Sequence, residues 1–144
     1  CFEEVQRQGH DITILDGIER VGWMLDGWSY ALNRKNLLPT TQDIINVGRC
    51  VESYKNKYGI RTVPIYVGIH ICPSPDKIVR LLDFLIQTKL YFPPLDFYRE
   101  LLEIHPFVDG NGRTGKIILN WLNQSLLDPI FPPNNFWGKT IRNP

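Results

Sequence analysis

Charge of one sign is what this sequence has least of: 16 Lys and Arg stand against 15 Asp and Glu, leaving a formal charge of +1 over 144 residues. A protein that grips a polyanion carries a basic excess on one face or segment, so no nucleic-acid partner is expected. Long apolar runs are missing too. No stretch approaches the roughly 18 residues of a membrane-spanning helix, and the first residues show no signal pattern, so neither a membrane span nor export is expected. Cysteine is scarce: Cys1, Cys50 and Cys72 are odd in number and lack CxxC spacing, which suggests neither a disulfide framework nor a zinc site. A reducing, cytoplasmic setting is expected. Internal repeats and low-complexity segments are absent. The first residue is Cys1 and not Met, which suggests a trimmed piece of a longer chain whose flank could carry regulation.

What is present is an ordinary globular composition, 43% hydrophobic and 22% charged, in a chain of one-domain length. Its periodicity predicts an all-α, mainly helical domain over residues 1–144 with a short β-hairpin flap, the core running from about 11 to 127 and an irregular, proline-punctuated tail over 128–144. Between Asp11 and Leu32 the apolar residues Ile12, Leu15, Ile18, Leu25, Trp28 and Leu32 recur at helical steps and predict one buried face. A second helix should start at a Thr40 or Thr41 cap, bury Ile44, Ile45, Val51 and Tyr54, and stop at Gly59, with Gly48 weakening it slightly. The stretch IRTVPIYVGIHI loses that period and reads as a hairpin, with Pro64 confined to an edge strand. Three more helices follow: one capped by Ser74 with Pro75 at its first position and Ile78, Leu81, Leu82 and Leu85 inside, one between Pro94 and Pro106, and a final long amphipathic one beginning near Arg113.

The stretch EIHPFVDGNGRTGKI carries the chemistry. Residues 110–116 match GxxxxGK, yet a phosphate-binding P-loop follows a buried strand and ends in Lys followed by Ser or Thr. Here a helical segment precedes it and Ile117 follows Lys116. The glycines Gly110 and Gly112 still stand where successive N–H groups before a helix can form an anion nest; a tight helix-to-helix turn is the plainer alternative. That turn would need none of His105, Asp109, Asn111, Arg113 and Lys116. Arg113 and Lys116, three apart, should face one side and hold phosphate oxygens. Asp109 is a hard oxygen ligand suited to Mg2+ on a polyphosphate, and Asn111 can donate its amide to a phosphate. His105 is a proton acceptor for a hydroxyl at neutral pH. Phosphoryl or nucleotidyl transfer is the chemistry this set serves.

HPFVDGNGRTGK closely resembles the HPFx(D/E)GNGRxxR signature of the Fic (filamentation-induced-by-cAMP) family, at every specified position except the last. GIRTVPIYVGIHICPSPDKI resembles that family's flap, and the helical order is similar from about Asp11 to Asn123; the tail matches nothing assignable. The resemblance implies a protein adenylyltransferase that moves AMP from ATP, with Mg2+, to a Ser, Thr or Tyr hydroxyl of a target protein. It implies His105 as general base, Asp109 as metal ligand, Gly110, Asn111 and Gly112 as the phosphate nest, and Arg113 as a phosphate anchor. Lys116 stands where most members have a second Arg for the γ-phosphate, keeping the charge and losing the bidentate fork. Phe107 would plug into the core and fix the histidine.

The resemblance also implies that the flap, Thr62, Val63, Pro64, Ile65, Tyr66 and Val67, pairs main chain to main chain with the target. The family's inhibitory motif, (S/T)xxxE(G/N), has no match in this sequence; TILDG at 13–17 is a near miss. Restraint would then come from a separate inhibitory or antitoxin protein or from flanking sequence. Oligomeric state is left open. Transfer of UMP or phosphocholine on the same fold, and a catalytically weak nucleotide-binding toxin-antitoxin module, are the alternatives. His10 and His70 lack ligand partners at suitable spacing, and Trp23, Trp28, Trp121 and Trp137 read as core or cover.

Overall fold

The Thr40 side chain begins a helix as its sequence requires. Its hydroxyl accepts the Asp43 N–H at 3.1 Å while the Asp43 carboxylate accepts the Thr40 N–H at 3.0 Å, a reciprocal cap that satisfies two otherwise unpaired donors. In the computed structural model, which describes residues 15–132, this is one of five α-helices: α1 Leu15–Asn33, α2 Thr41–Val51, α3 Ile78–Lys89, α4 Pro94–Ile104 and α5 Asn111–Leu122. An antiparallel hairpin between α2 and α3 pairs β1 Tyr66–Val67 with β2 His70–Ile71, Tyr66 opposite Ile71 and Val67 opposite His70. The mainly helical architecture with a short hairpin agrees with expectation. The readings at Cys1, His10, Asp11, Ile12 and Trp137 lie outside the described residues.

Around α5 the other helices assemble. It packs against α1, α2 and α4, and every residue from Asn111 to Trp121 is buried. The expected amphipathic helix is therefore a central one, because three neighbours leave it no solvent face. Ile117, Ile118 and Trp121 join Met24, Ile44, Val47, Leu82, Phe97, Leu101 and Phe107 in one core. Phe107 plugs into that core as expected, and its ring lies on Gly48 of α2, where even a single methyl group would overlap it. Gly48 is thus a packing requirement.

Several local expectations need correction. Ile18 and Leu25 are 54% and 53% exposed, and α1 turns Val21, Met24 and Ala31 inward with Arg20. That face escaped an apolar count because Arg20 sits on it, drawn in by the Glu52 carboxylate at 3.4 Å. α2 ends at Val51, short of Gly59, and Tyr54 is exposed, because Glu52 and Asn56 turn into the core in the polar segment that follows. Gly59 does take the left-handed conformation, φ +100°. Ser74 caps no backbone N–H; its hydroxyl donates to Asp76 at 2.7 Å beside a short 3-10 turn, Pro75–Lys77, that leads into α3. Ile78, Leu82 and Leu85 are buried as expected, with Leu81 packed partly against the core.

Candidate active site

Pro106 follows His105 in sequence, and a residue before proline is held out of the helical region, so α4 stops there. His105 takes the left-handed conformation, φ +52°, and its N–H closes the last turn onto Leu101 O at 3.1 Å. The loop it opens is held at both ends. Asn111 accepts the Phe107 N–H at 2.9 Å and donates its amide to Phe107 O at 2.8 Å, tying the start of α5 back to the plug. Gly110, φ +77°, then makes the left-handed step into α5; at this angle a side chain is strained, and one would also crowd Val51 and Arg113. The loop therefore delivers the first turn of α5 to the His105 side of the molecule. The first N–H groups of any helix have no partner one turn back, and together with the helix dipole they attract an anion.

His105 is only 6% exposed. Its Nδ1 stands 3.3 Å from Leu102 O, and since a carbonyl only accepts, that contact assigns the proton to Nδ1 and leaves the Nε2 lone pair available. Burial lowers its pKa from 6.5 to about 4, with the Leu102 carbonyl opposing and the charges of Arg61 and His70 assisting. The ring is neutral at pH 7. Asp109 shows the reverse balance: burial pushes it up, but the Lys55 ammonium at 3.0 Å, the Gly110 N–H at 2.7 Å and Arg113 bring it below the ordinary carboxylate range. It is an anion with one oxygen facing a half-exposed lysine. Among the described residues no cluster of three or more His, Cys, Asp or Glu could hold a metal ion; the Asp109 carboxylate is a single hard oxygen donor, of the kind Mg2+ takes beside phosphate oxygens.

The cations stand elsewhere than their spacing suggested. Arg113 is fully buried, donating to Val51 O and to Glu52, each at 2.8 Å, with Arg20 on the same carboxylate. A desolvated guanidinium needs a carboxylate, and Glu52 provides it from the segment after α2. Lys116 is 2% exposed and borders a cavity of about 230 Å3 with Met24, Leu25, Trp28, Asn120, Pro129 and Phe131. Asn111, expected to donate to phosphate, spends its amide on Phe107 because the loop closes on it. Gly112 is buried in the first turn of α5.

The hairpin is shorter than the expected edge over 62–67. Only Tyr66 and Val67 are strand; Thr62, Val63 and Pro64 form an exposed approach, and Ile65 adds one bond by accepting the Cys72 N–H at 3.1 Å. Pro64 has no N–H to offer, and the Val63 carbonyl is taken by Arg61. Sequence reasoning missed Glu52, Lys55, Asn56 and Arg61. Asn56 donates to Gly48 O and Asp109 O at 2.9 and 2.8 Å, joining α2 to the loop. Glu52, Lys55 and Asn56 lie in the stretch read as the end of the second helix and Arg61 at the start of the stretch read as the hairpin, and no local signal pointed their side chains inward.

The sequence pattern of the Fic/DOC family matches residues 38–123. Protein adenylyltransferase Fic from Aedes aegypti is 31% identical over 114 residues, covering 71% of this chain and 22% of that protein. Protein adenylyltransferase Fic from Nematostella vectensis is 30% identical over 107 residues, covering 65% and 24%. The chain thus spans about a quarter or less of the length of these relatives. A solved structure of Fic-1 from C. elegans superposes with a TM-score of 0.57 at 22% identity, covering 89% of this chain and 43% of that one, a likeness of fold. The matched segment takes in the hairpin, the glycine loop and four of the five helices, and on that extent the chain belongs to the Fic/DOC family.

Proposed function

We infer that this chain carries the catalytic centre of a protein adenylyltransferase, moving AMP from ATP with Mg2+ to a Ser, Thr or Tyr hydroxyl of a target protein. The observation that carries the reading is the state of His105: a neutral imidazole with Nδ1 committed to Leu102 and Nε2 available, on the loop that leads into a helix N-terminus. The target hydroxyl attacks the α-phosphorus, its proton passes to Nε2, and pyrophosphate leaves in line. The N–H groups at the start of α5 hold phosphate oxygens against the positive end of the helix. Asp109 would hold Mg2+, which when bound neutralises charge between the phosphates. Arg113, fixed by Glu52, orders the loop from beneath and adds a positive field.

Incubation with ATP labelled at the α-phosphate and a lysate as protein substrate tests this. Transfer of label to protein is expected from the wild type and should vanish in His105→Ala while ATP binding persists, since the imidazole acts on the hydroxyl and not on the phosphates. Wild-type transfer by that variant would refute the role of His105. Lys116, standing where the family signature has a second Arg, favours a second reading, a nucleotide-binding module with weak catalysis. ATP binding by the wild type with no transfer to any protein would support it.

A further inference from the structure

Arg61 is 2% exposed, and every hydrogen-bond partner of its side chain is a carbonyl oxygen. Nε donates to His105 O at 2.6 Å, one terminal nitrogen to Val63 O at 2.8 Å, and the other to Pro73 O at 2.6 Å and Ile104 O at 3.2 Å. Its own backbone N–H donates to Pro106 O at 2.9 Å. Burying a guanidinium against carbonyls alone is costly, and a connection between elements does not require it. These carbonyls have a common meaning in the fold: Val63 and Pro73 stand before and after the hairpin, while Ile104, His105 and Pro106 form the end of α4 and the start of the loop.

We propose that Arg61 is a positioning residue that ties both roots of the hairpin to the backbone of His105, so that a target segment held by the hairpin and the group that deprotonates it move as one body. This rests on the adenylyltransferase reading. A planar fork with five donors can span four carbonyls at fixed angles, which a lysine ammonium cannot. Such rigidity matters because a misplacement of about 1 Å between reacting groups costs on the order of 100-fold in rate. The same guanidinium helps keep His105 neutral. The charged and titratable groups acting on that ring are Arg61 before the hairpin, His70 on β2 and Asp109 in the loop, beside the Leu102 carbonyl of α4.

The test uses Arg61→Lys and Arg61→Met, both checked for a cooperative thermal transition. With Arg61→Lys, label transfer measured over a dilution series of lysate protein should fall about tenfold or more at subsaturating protein, while the Kd for ATP stays within about twofold. Arg61→Met should show the same loss, and the NMR titration of its His105 ring should move to higher pH. Arg61→Lys with full transfer overturns the proposal, because charge alone would then suffice. Equal losses in ATP binding and protein transfer also overturn it, as they indicate a general structural role. If Arg61→Met fails to fold, Arg61→Lys decides. If the wild type transfers nothing, the adenylyltransferase reading fails separately, and hydrogen exchange still judges the tie: in Arg61→Lys the Cys72 and Arg61 amides should exchange about tenfold faster or more relative to those of α5, whereas unchanged protection refutes it.

Discussion

At the scale of single residues, burial without a carboxylate partner decides how His105 behaves. Its pKa of about 4 in the folded protein lies below the 6.5 of an exposed imidazole. The unfolded chain therefore binds this proton at a pH where the native state does not, and the native state loses stability as pH falls from 6.5 to 4. The loss amounts to about 3 kcal/mol. Urea titrations at pH 7 and pH 4 of the wild type and His105→Gln should show a smaller acid loss in the variant; equal losses mean the ring is not buried neutral. The acid limb of kcat/KM for transfer should likewise fall below pH 5, since that parameter reports the free enzyme. Glu52 has the opposite character, a buried carboxylate serving Arg113 and Arg20. Glu52→Ala leaves two guanidinium groups without it and should cost about 3–5 kcal/mol in denaturant unfolding. A cost below about 1 kcal/mol would show that the ion pair is not what holds Arg113.

Between elements, the decisive contact is that of α2 with the loop. Gly48 lets α2 approach Phe107 so closely that the ring occupies the space a side chain would take. Substituting Ala for Gly in a helix interior ordinarily stabilises by about 1 kcal/mol. Here overpacking of a fully buried ring, worth about 1–3 kcal/mol, opposes that gain and should exceed it, because Phe107 is enclosed by the core and its loop is pinned by Asn111. Gly48→Ala should therefore lower the urea midpoint and, by moving Phe107, reduce transfer as well. A raised midpoint would show that the ring can yield.

Across the whole molecule, stability should be graded from α5 outward. Unfolding α5 means separating it from α1, α2 and α4, so the amides of Ile117 to Trp121 should exchange only through global opening. The hairpin has two residues in each strand and an exposed tip at Gly68 and Ile69. Its amides should exchange through local opening, several kcal/mol below the global value. Hydrogen exchange by NMR reads both directly, and equal protection would place the hairpin inside the cooperative core. This grading suits the proposed chemistry: the loop that carries His105 leads into the buried helix α5, and local opening is confined to the short strands and tip of the hairpin, beyond the roots that Arg61 ties to the His105 backbone.

Local chemistry was legible in the sequence wherever the signal is itself local. The Thr40 cap, the Pro94 start, the stop at His105 before Pro106 and the left-handed Gly59 each depend on one or two neighbouring residues. HPFVDGNGR could be recognised because its residues are contiguous. Which face of α1 turns inward, whether Gly48 is a weakness or a requirement, and where Arg113 and Lys116 point were decided only when distant segments met. Arg113 finds Glu52 61 positions away, and Arg61 finds His105 across 44. Helical spacing tells which residues share a face but not which neighbour that face will meet. A buried charge is oriented by its partner, and the partner is supplied by tertiary structure.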